Sequence, residues 1–394
     1  LGRKIQNRFS WGAGLRFGIE VKDKGTGIFV KDGSNLSAGT LELKYSGTNT
    51  GTGVGLFYDN ASGTSKTNNT NVNLVDTVGT TGGVVGLYVK GNGGVLTNNG
   101  NISGDKGYGL ITEGTEVVNA ATITLNNPVD AATKKPSVGI YTKATDKITN
   151  NGTVTVGENS VGIYGHAVDN NGTINTGAGG TGIYSSGGDV NLNSGSINVG
   201  TGKAAAVYTN GSGQTIRANS GSTLTIGDNS FGFAILGNGT NNYTGAAGSN
   251  INMGTESVYL YKAGALGSVV SETTVNLKPG AERSTAFYAV NDAVIRNRGQ
   301  VNFSNGVGNV GAYAETNGTV YNEGNITVGG SDILQNYYSI GMAAKNGGKV
   351  VNAAGHTINV TGTYGIGMFA EGAGSRAENY GTIDMSSSGE LRGA

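Results

Sequence analysis

Apolar residues come in short pieces along this chain, alternating with polar residues and stopping at Gly or Asn. Val154-Thr155-Val156 and Ile197-Asn198-Val199 alternate with period two, as an extended strand with one face inside and one outside requires. The pieces also recur. Gly, an aliphatic residue and an aromatic stand together at Gly27-Ile28-Phe29, Gly55-Leu56-Phe57, Gly86-Leu87-Tyr88, Gly139-Ile140-Tyr141, Gly162-Ile163-Tyr164 and Gly182-Ile183-Tyr184. Looser copies follow at Ala206-Val207-Tyr208, Gly311-Ala312-Tyr313, Gly341-Met342-Ala343 and Gly367-Met368-Phe369. A second motif, Asn-x-Gly and an alternating run, trails the first at Asn150-Asn151-Gly152-Thr153-Val154-Thr155-Val156 and Asn170-Asn171-Gly172-Thr173-Ile174-Asn175. Further copies start at Asn98, Asn193, Asn219, Asn297, Asn322 and Asn379.

From Phe29 to Phe369 the pattern takes 13 steps over 340 residues, about 26 residues a step. Three extended runs broken by Gly or Asn fit that length as one coil of a β-helix, whereas a propeller blade needs roughly 40–50 residues. A leucine-rich repeat would need a consensus that is absent here. The predicted fold is therefore all-β, a right-handed parallel β-helix of about 14 coils over residues 25–394. Residues 1–24, with Trp11 and the basic Arg3, Lys4, Arg8 and Arg16, read as a cap or connecting segment. Stacked coils share one interior, which Val154, Val156 and Ile163 should line. The motif glycines are expected at corners with positive φ, and the Asn of Asn-x-Gly in the left-handed region. Stacked asparagines should bond along the axis as a ladder. The pattern breaks near 61–83, 126–137, 238–250 and 329–338, which read as loop insertions.

Composition supports this and narrows the chemistry. Gly numbers 73 of 394 residues, Pro 3, and only 13% of residues are charged. Gly, Asn, Thr and Val are poor helix formers, so long helices are not expected. The 26 basic and 26 acidic residues balance, which gives no field to attract nucleic acid or an anionic membrane. The lack of Cys removes disulfides and thiolate metal sites, and suits export. No apolar run reaches the length of a membrane helix. Leu1 in place of Met and the lack of a leader pattern suggest an excised piece of a longer protein.

Candidate catalytic groups are thin. His166 and His356 are far apart and read as solvated loop residues, and no metal or cofactor is expected. A polysaccharide-active β-helix would gather carboxylates on one face. Asp105, Glu113, Asp169, Asp189, Asp228, Glu256, Glu315 and Glu371 are instead scattered, and read as isolated solvating charges. Binding groups usually ride on loops that project from a rigid scaffold. Tyr beside Asn or Asp offers a ring face and hydroxyl partners to a sugar, so Asn242, Tyr243, Asp332, Asn336, Tyr337 and Tyr338 are the candidate ligand-binding residues. The bland reading has these tyrosines packed on the flank of the helix.

Asn-Asn-Gly-Thr followed by Ser-Val-Gly-Ile-Tyr-Gly, at residues 150–165, resembles the passenger repeats of type Va autotransporter adhesins, above all the large fusobacterial outer-membrane adhesins. The likeness runs from about residue 25 onward and rests on a structural repeat that carries no site of its own. It implies a non-enzymatic adhesin displayed outside the cell, held in the outer membrane by a C-terminal barrel that this chain lacks. It also implies a monomer that engages glycan or protein receptors on host cells or other bacteria. A polysaccharide-active enzyme, a toxin-like or immune-modulating passenger, and a pure stalk are the alternatives.

Overall fold

The computed structural model describes residues 16–21, 25–32, 36, 39–45, 53–75, 83–237 and 239–386. The chain is all-β, a parallel β-solenoid of about 13 turns of about 26 residues, as the repeat predicts. No described residue is helical, so no described helix could cross a membrane. Each turn passes through three sheets, I, II and III. One turn runs Val138–Thr142 in sheet I, Lys147–Asn150 in sheet II and Thr153–Val156 in sheet III. The chain divides into two compact units, Leu1–Ala167 with Gly172–Asn175, and Val168–Asn171 with Thr176–Ala394.

Each strand pairs in parallel with its counterpart one turn away, so like residues stack. In the first unit Val117 faces Ile148 in sheet II, and Ile123 faces Val154 in sheet III. In the second unit Phe287 faces Ala312 and then Met342 in sheet I. Side chains pointing inward at these positions form the interior of each unit. Val154 and Ile163 are fully buried and Val156 nearly so. No coil could bury this surface alone, so neighbours stabilise one another.

The buried polar positions follow the same stacking. In the first unit Asn68 donates its amide to Asn98, Asn98 to Asn119 and Asn119 to Asn150, at 2.8–2.9 Å. In the second, Asn297, Asn322, Asn352 and Asn379 repeat the chain at 2.8 Å. This is the predicted ladder, and it answers the question that every buried amide poses. Between these runs, register puts Leu192, Ala218, Gly245 and Ser271 at the ladder position. The motif asparagines at 193 and 219 therefore stand one residue outward. There they form a surface row, Asn219 donating to Asn193 and Asn193 to Asn171.

Two expectations about backbone need correction. The motif glycines Gly86, Gly139, Gly162 and Gly182 do not have positive φ, and neither do Gly152 and Gly172. They are required by crowding: a Cβ at Gly182 would lie 2.6 Å from the Ala206 carbonyl oxygen and 2.7 Å from Ile197 Cγ2. The asparagines that do adopt positive φ, such as Asn159, Asn229 and Asn346, lie at other corners. The ladder asparagines keep negative φ because their side chains, not their backbones, do the work.

The regions read as insertions differ in kind. Residues 61–75 contain the strands Lys66–Asn68 and Asn71–Val75, and residues 238–250 contain Asn242–Gly245, a full member of sheet II. Within 76–83, all but Gly83 lie outside the described residues, as does Asn238. Residues 126–137 and 329–338 do form projecting loops. Of the segment 1–24, Arg16–Val21 is a strand paired with Thr40–Tyr45 in sheet III, and the remainder, with Trp11, lies outside the described residues.

Candidate functional site

Most corners from sheet III to sheet I are short, such as residues 157–160 between Val156 and Val161. A buried Ser at the end of such corners ties one turn to the next. Ser257 N–H donates to Ser284 Oγ, and Asn309 N–H to Ser339 Oγ, both at 3.2 Å. Residues 329–339 lengthen one of these corners into a hairpin planted on Ser339. Ser339 Oγ donates to the Gly330 carbonyl at 2.6 Å and its N–H to Ser331 Oγ at 2.9 Å. Asp332 and Tyr337 exchange two backbone hydrogen bonds of 2.9 Å, closing an antiparallel bridge. Inside the turn Asp332 Oδ1 accepts the N–H of Leu334 and of Gln335, and Asn336 adopts φ 58°. Such local Asp bonding and tolerance of positive φ by Asn are what this tight turn needs.

The sequence candidates divide sharply at this point. Asp332, Asn336, Tyr337 and Tyr338 are brought together on the hairpin. Tyr337 lies flat under Arg283, whose guanidinium is 4.7 Å from the ring centre. Arg283 is itself held by Glu256 and Glu282, each at 2.9 Å. Tyr338 is exposed, its hydroxyl 3.4 Å from Asn336 Oδ1. The tip adds Ile333 at 43% exposure and Leu334 at 91%. Asn242 sits apart on sheet II and accepts the Ser268 N–H at 2.8 Å. Tyr243 corrects the expectation of an exposed ring, being 1% accessible inside the solenoid. Its hydroxyl meets that of Tyr259 at 2.5 Å, and Tyr259 reaches Thr273 at 2.8 Å. The alternation of sheet II turns Tyr243 inward at the position of Ile216 and Val269.

Residues 126–137 build the same device. Asp130 and Lys135 exchange backbone bonds, Asp130 Oδ1 accepts the N–H of Ala132 and Thr133, and Lys134 has φ 58°. The Thr133 hydroxyl and backbone lower the Asp130 carboxyl below its usual range. Ser137 Oγ again anchors the base, to the Asn127 carbonyl at 2.6 Å. This hairpin carries Lys134 and Lys135 where the other carries Asn336 and Tyr337, and Ala131 and Ala132 where the other carries Ile333 and Leu334.

Sequence reasoning passed over the outer face of sheet I. The aromatic of each Gly-aliphatic-aromatic motif follows an inward aliphatic residue and so faces outward. In the first unit Phe29 and Phe57 stack at 5.2 Å, Phe57 meets Tyr88 at 5.0 Å and Tyr141 meets Tyr164 at 5.0 Å. In the second unit Tyr184 meets Tyr208 at 5.1 Å, and Tyr261, Tyr288 and Tyr313 follow one another at 5.1 and 4.8 Å. Acidic residues close this strip. Glu113 accepts the Tyr88 hydroxyl at 2.5 Å and pairs with Lys90 at 2.7 Å, while the Lys143 ammonium stands 4.8 Å over the Tyr88 ring. Bonds from Lys90 and then Tyr88 hold the Glu113 carboxyl down at about 2. Burial and the Glu113 carboxylate push the Tyr88 hydroxyl up to about 12. Glu315 likewise accepts Tyr288 at 2.5 Å and Tyr313 at 3.2 Å.

The acids read as isolated are thus engaged across turns. Asp189 pairs with Arg217 at 2.8 Å, Glu256 with Arg283, and Glu371 with Lys345 at 2.7 Å. Register explains this, because stacking puts residues of successive turns side by side. No group of three or more His, Asp or Glu side chains placed to hold a metal occurs among the described residues. His166 and His356 are half-buried.

The fold is a three-sheeted parallel β-solenoid with short corners and two hairpins. The family model of the BigA third pectate lyase-like domain matches residues 165–393, more than half of the chain, and the chain belongs to that family. Comparison with curated proteins and with solved structures gives no match. Membership places the chain among extracellular or surface-displayed β-helix proteins.

Proposed function

We propose that this chain is the displayed segment of a bacterial adhesin, which attaches the cell to host cells or other bacteria through glycan or protein receptors and catalyses no reaction. The reading rests on the hairpin at 331–338. Its base and turn are fixed by backbone bonds, Asp332 and Ser339, and yet it holds Leu334 at 91% exposure beside Ile333 and Tyr338. A rigid loop that keeps apolar side chains in water gains nothing for folding, and such patches mark recognition sites. Little ordering remains to be done when a receptor docks, which favours affinity. Asp332, Asn336, Tyr337 and Tyr338 are the proposed binding residues, with Tyr337 held by Arg283 as the support. The aromatic strip of sheet I, with its flanking carboxylates, is a second surface suited to the faces and hydroxyls of sugars. The family's extracellular setting agrees with this, and anchoring through an outer-membrane barrel elsewhere in the parent protein belongs to the same proposal.

The test is binding of the purified chain to bacterial and epithelial cells, with and without Leu334→Ser and Tyr338→Ala together. Both side chains are exposed and neither holds the turn, so folding should be kept. Binding is expected to fall at least about tenfold, as loss of central contacts does. Undiminished binding would remove the hairpin from the site. Absence of binding by the unaltered chain would leave a stalk as its role.

A further inference from the structure

The two corner hairpins are one turn with two different tips. Asp130 and Asp332 each accept two backbone N–H groups of their own turn, and Lys134 and Asn336 share φ 58°. Ser137 and Ser339 each fix the base through a backbone carbonyl. At the tip stand Ala131 and Ala132 in the first unit, Ile333 and Leu334 in the second, all four exposed. The first hairpin thus shows that this turn closes with the smallest side chains at its tip. The branched aliphatic pair of the second is not required by the turn, and side chains left in water add no hydrophobic stability to the fold.

What the tip leaves open decides its partner. Both carboxylate oxygens of Asp332 accept from within the turn, Oδ1 from the two N–H groups and Oδ2 from Gln335 Nε2 at 3.1 Å. Asn336 Oδ1 accepts the Tyr338 hydroxyl. The groups that would grip the hydroxyls of a sugar are turned to shaping the loop, while Leu334 and Ile333 stand in water. An aliphatic knob on a fixed turn matches an apolar cleft, as an anchor side chain fills a pocket at the centre of an interface. Beside the tip, the carboxylates of Asp332, Glu256 and Glu282 outnumber the one guanidinium of Arg283, under which Tyr337 lies. That excess of negative charge repels an anionic bilayer and attracts a basic rim. We infer that the hairpin at 331–338 inserts Leu334 and Ile333 into an apolar cleft, rimmed by basic side chains, on a protein receptor. This rests on the adhesin reading and narrows it, since the receptor of this loop becomes a protein and not a glycan.

Substitutions at the tip test this on epithelial and bacterial cells. Leu334→Met keeps an apolar side chain of similar volume and should bind as the unaltered chain does. Leu334→Asn should bind at least about tenfold more weakly, because an anchor is lost and a polar group is forced into the cleft. Ile333→Ala with Leu334→Ala copies the tip of the first hairpin and should show the same loss. The share of binding that depends on Leu334 should vanish on cells stripped with trypsin and washed, and persist on cells whose glycans are oxidised with periodate. Association should slow as salt is raised to about 1 M. Equal binding by the Met and Asn variants, or association that salt does not slow, would overturn the inference. So would a Leu334-dependent share that survives trypsin: lost with periodate, it marks a glycan; reproduced on phosphatidylcholine vesicles, it marks a lipid. The adhesin reading outlives those results. If the unaltered chain binds no cell, that reading falls and this one falls with it.

Discussion

Tyr58 faces inward in the first unit, stacked between Val30 and Val89, and is fully buried. Its hydroxyl has no hydrogen-bond partner among the described residues, and burial drives its pKa up. An unmet buried hydroxyl destabilises by about 1–3 kcal/mol. Tyr58→Phe removes it with little change of shape and should raise the urea midpoint, by about 1 kcal/mol of stability; an unchanged or lower midpoint would show the hydroxyl to be satisfied. Glu113 gives a pH signature. Its folded carboxyl sits at about 2, below the ordinary 4.5, so the unfolded chain binds the proton more readily. The stability it contributes is complete above about pH 4.5 and fades as pH falls toward 2. Glu113→Gln should therefore start lower and lose less thermal midpoint than the unaltered chain on acidification through that window. Parallel acid profiles for the two proteins would refute this.

At the scale of the element, the ladder of sheet II is the feature with the most to lose. Asn322 accepts from Asn297 and donates to Asn352, both at 2.8 Å and both out of water. Asn322→Ala strands a donor on one side and an acceptor on the other, which should cost roughly 2–4 kcal/mol. Asn193→Ala, in the surface row, should change stability by less than about 0.5 kcal/mol because water takes over its bonds. Amide hydrogen exchange around each position would measure the contrast, and equal effects would contradict it. The ladder was legible in the sequence because Asn-x-Gly recurs in step with the coil. Its interruption was not, because Asn193 and Asn219 satisfy the motif while standing one residue out of register. Nor was the role of the glycines, since crowding by a carbonyl one turn away depends on a neighbour some 26 residues distant. Tyr243 misled for a related reason. Its neighbours Asn241 and Asn242 make a loop-like string, yet period two in a strand decides that the ring points inward.

For the molecule as a whole, the repeat settled the architecture, because a coil of three short strands uses about 26 residues and the leucine-rich consensus of similar length is absent. The hairpin at 329–338 was also legible, as a break in the pattern rich in Tyr, Asn and Asp. The pairing of the acids was not, because partners such as Glu113 and Lys90 are set by stacking and not by sequence proximity. The same stacking sorts the surface into aromatic, charged and neutral strips, so a substitution on one strip should leave the functions of the others intact.

The ladder amides of sheet II all point one way. In both units the earlier asparagine gives its N–H₂ to the later one, so breaking a ladder between two coils bares an amide donor on the earlier coil and a carbonyl acceptor on the later one. The two broken faces then differ in chemistry, one short of an acceptor and the other short of a donor, so each fits only its own complement.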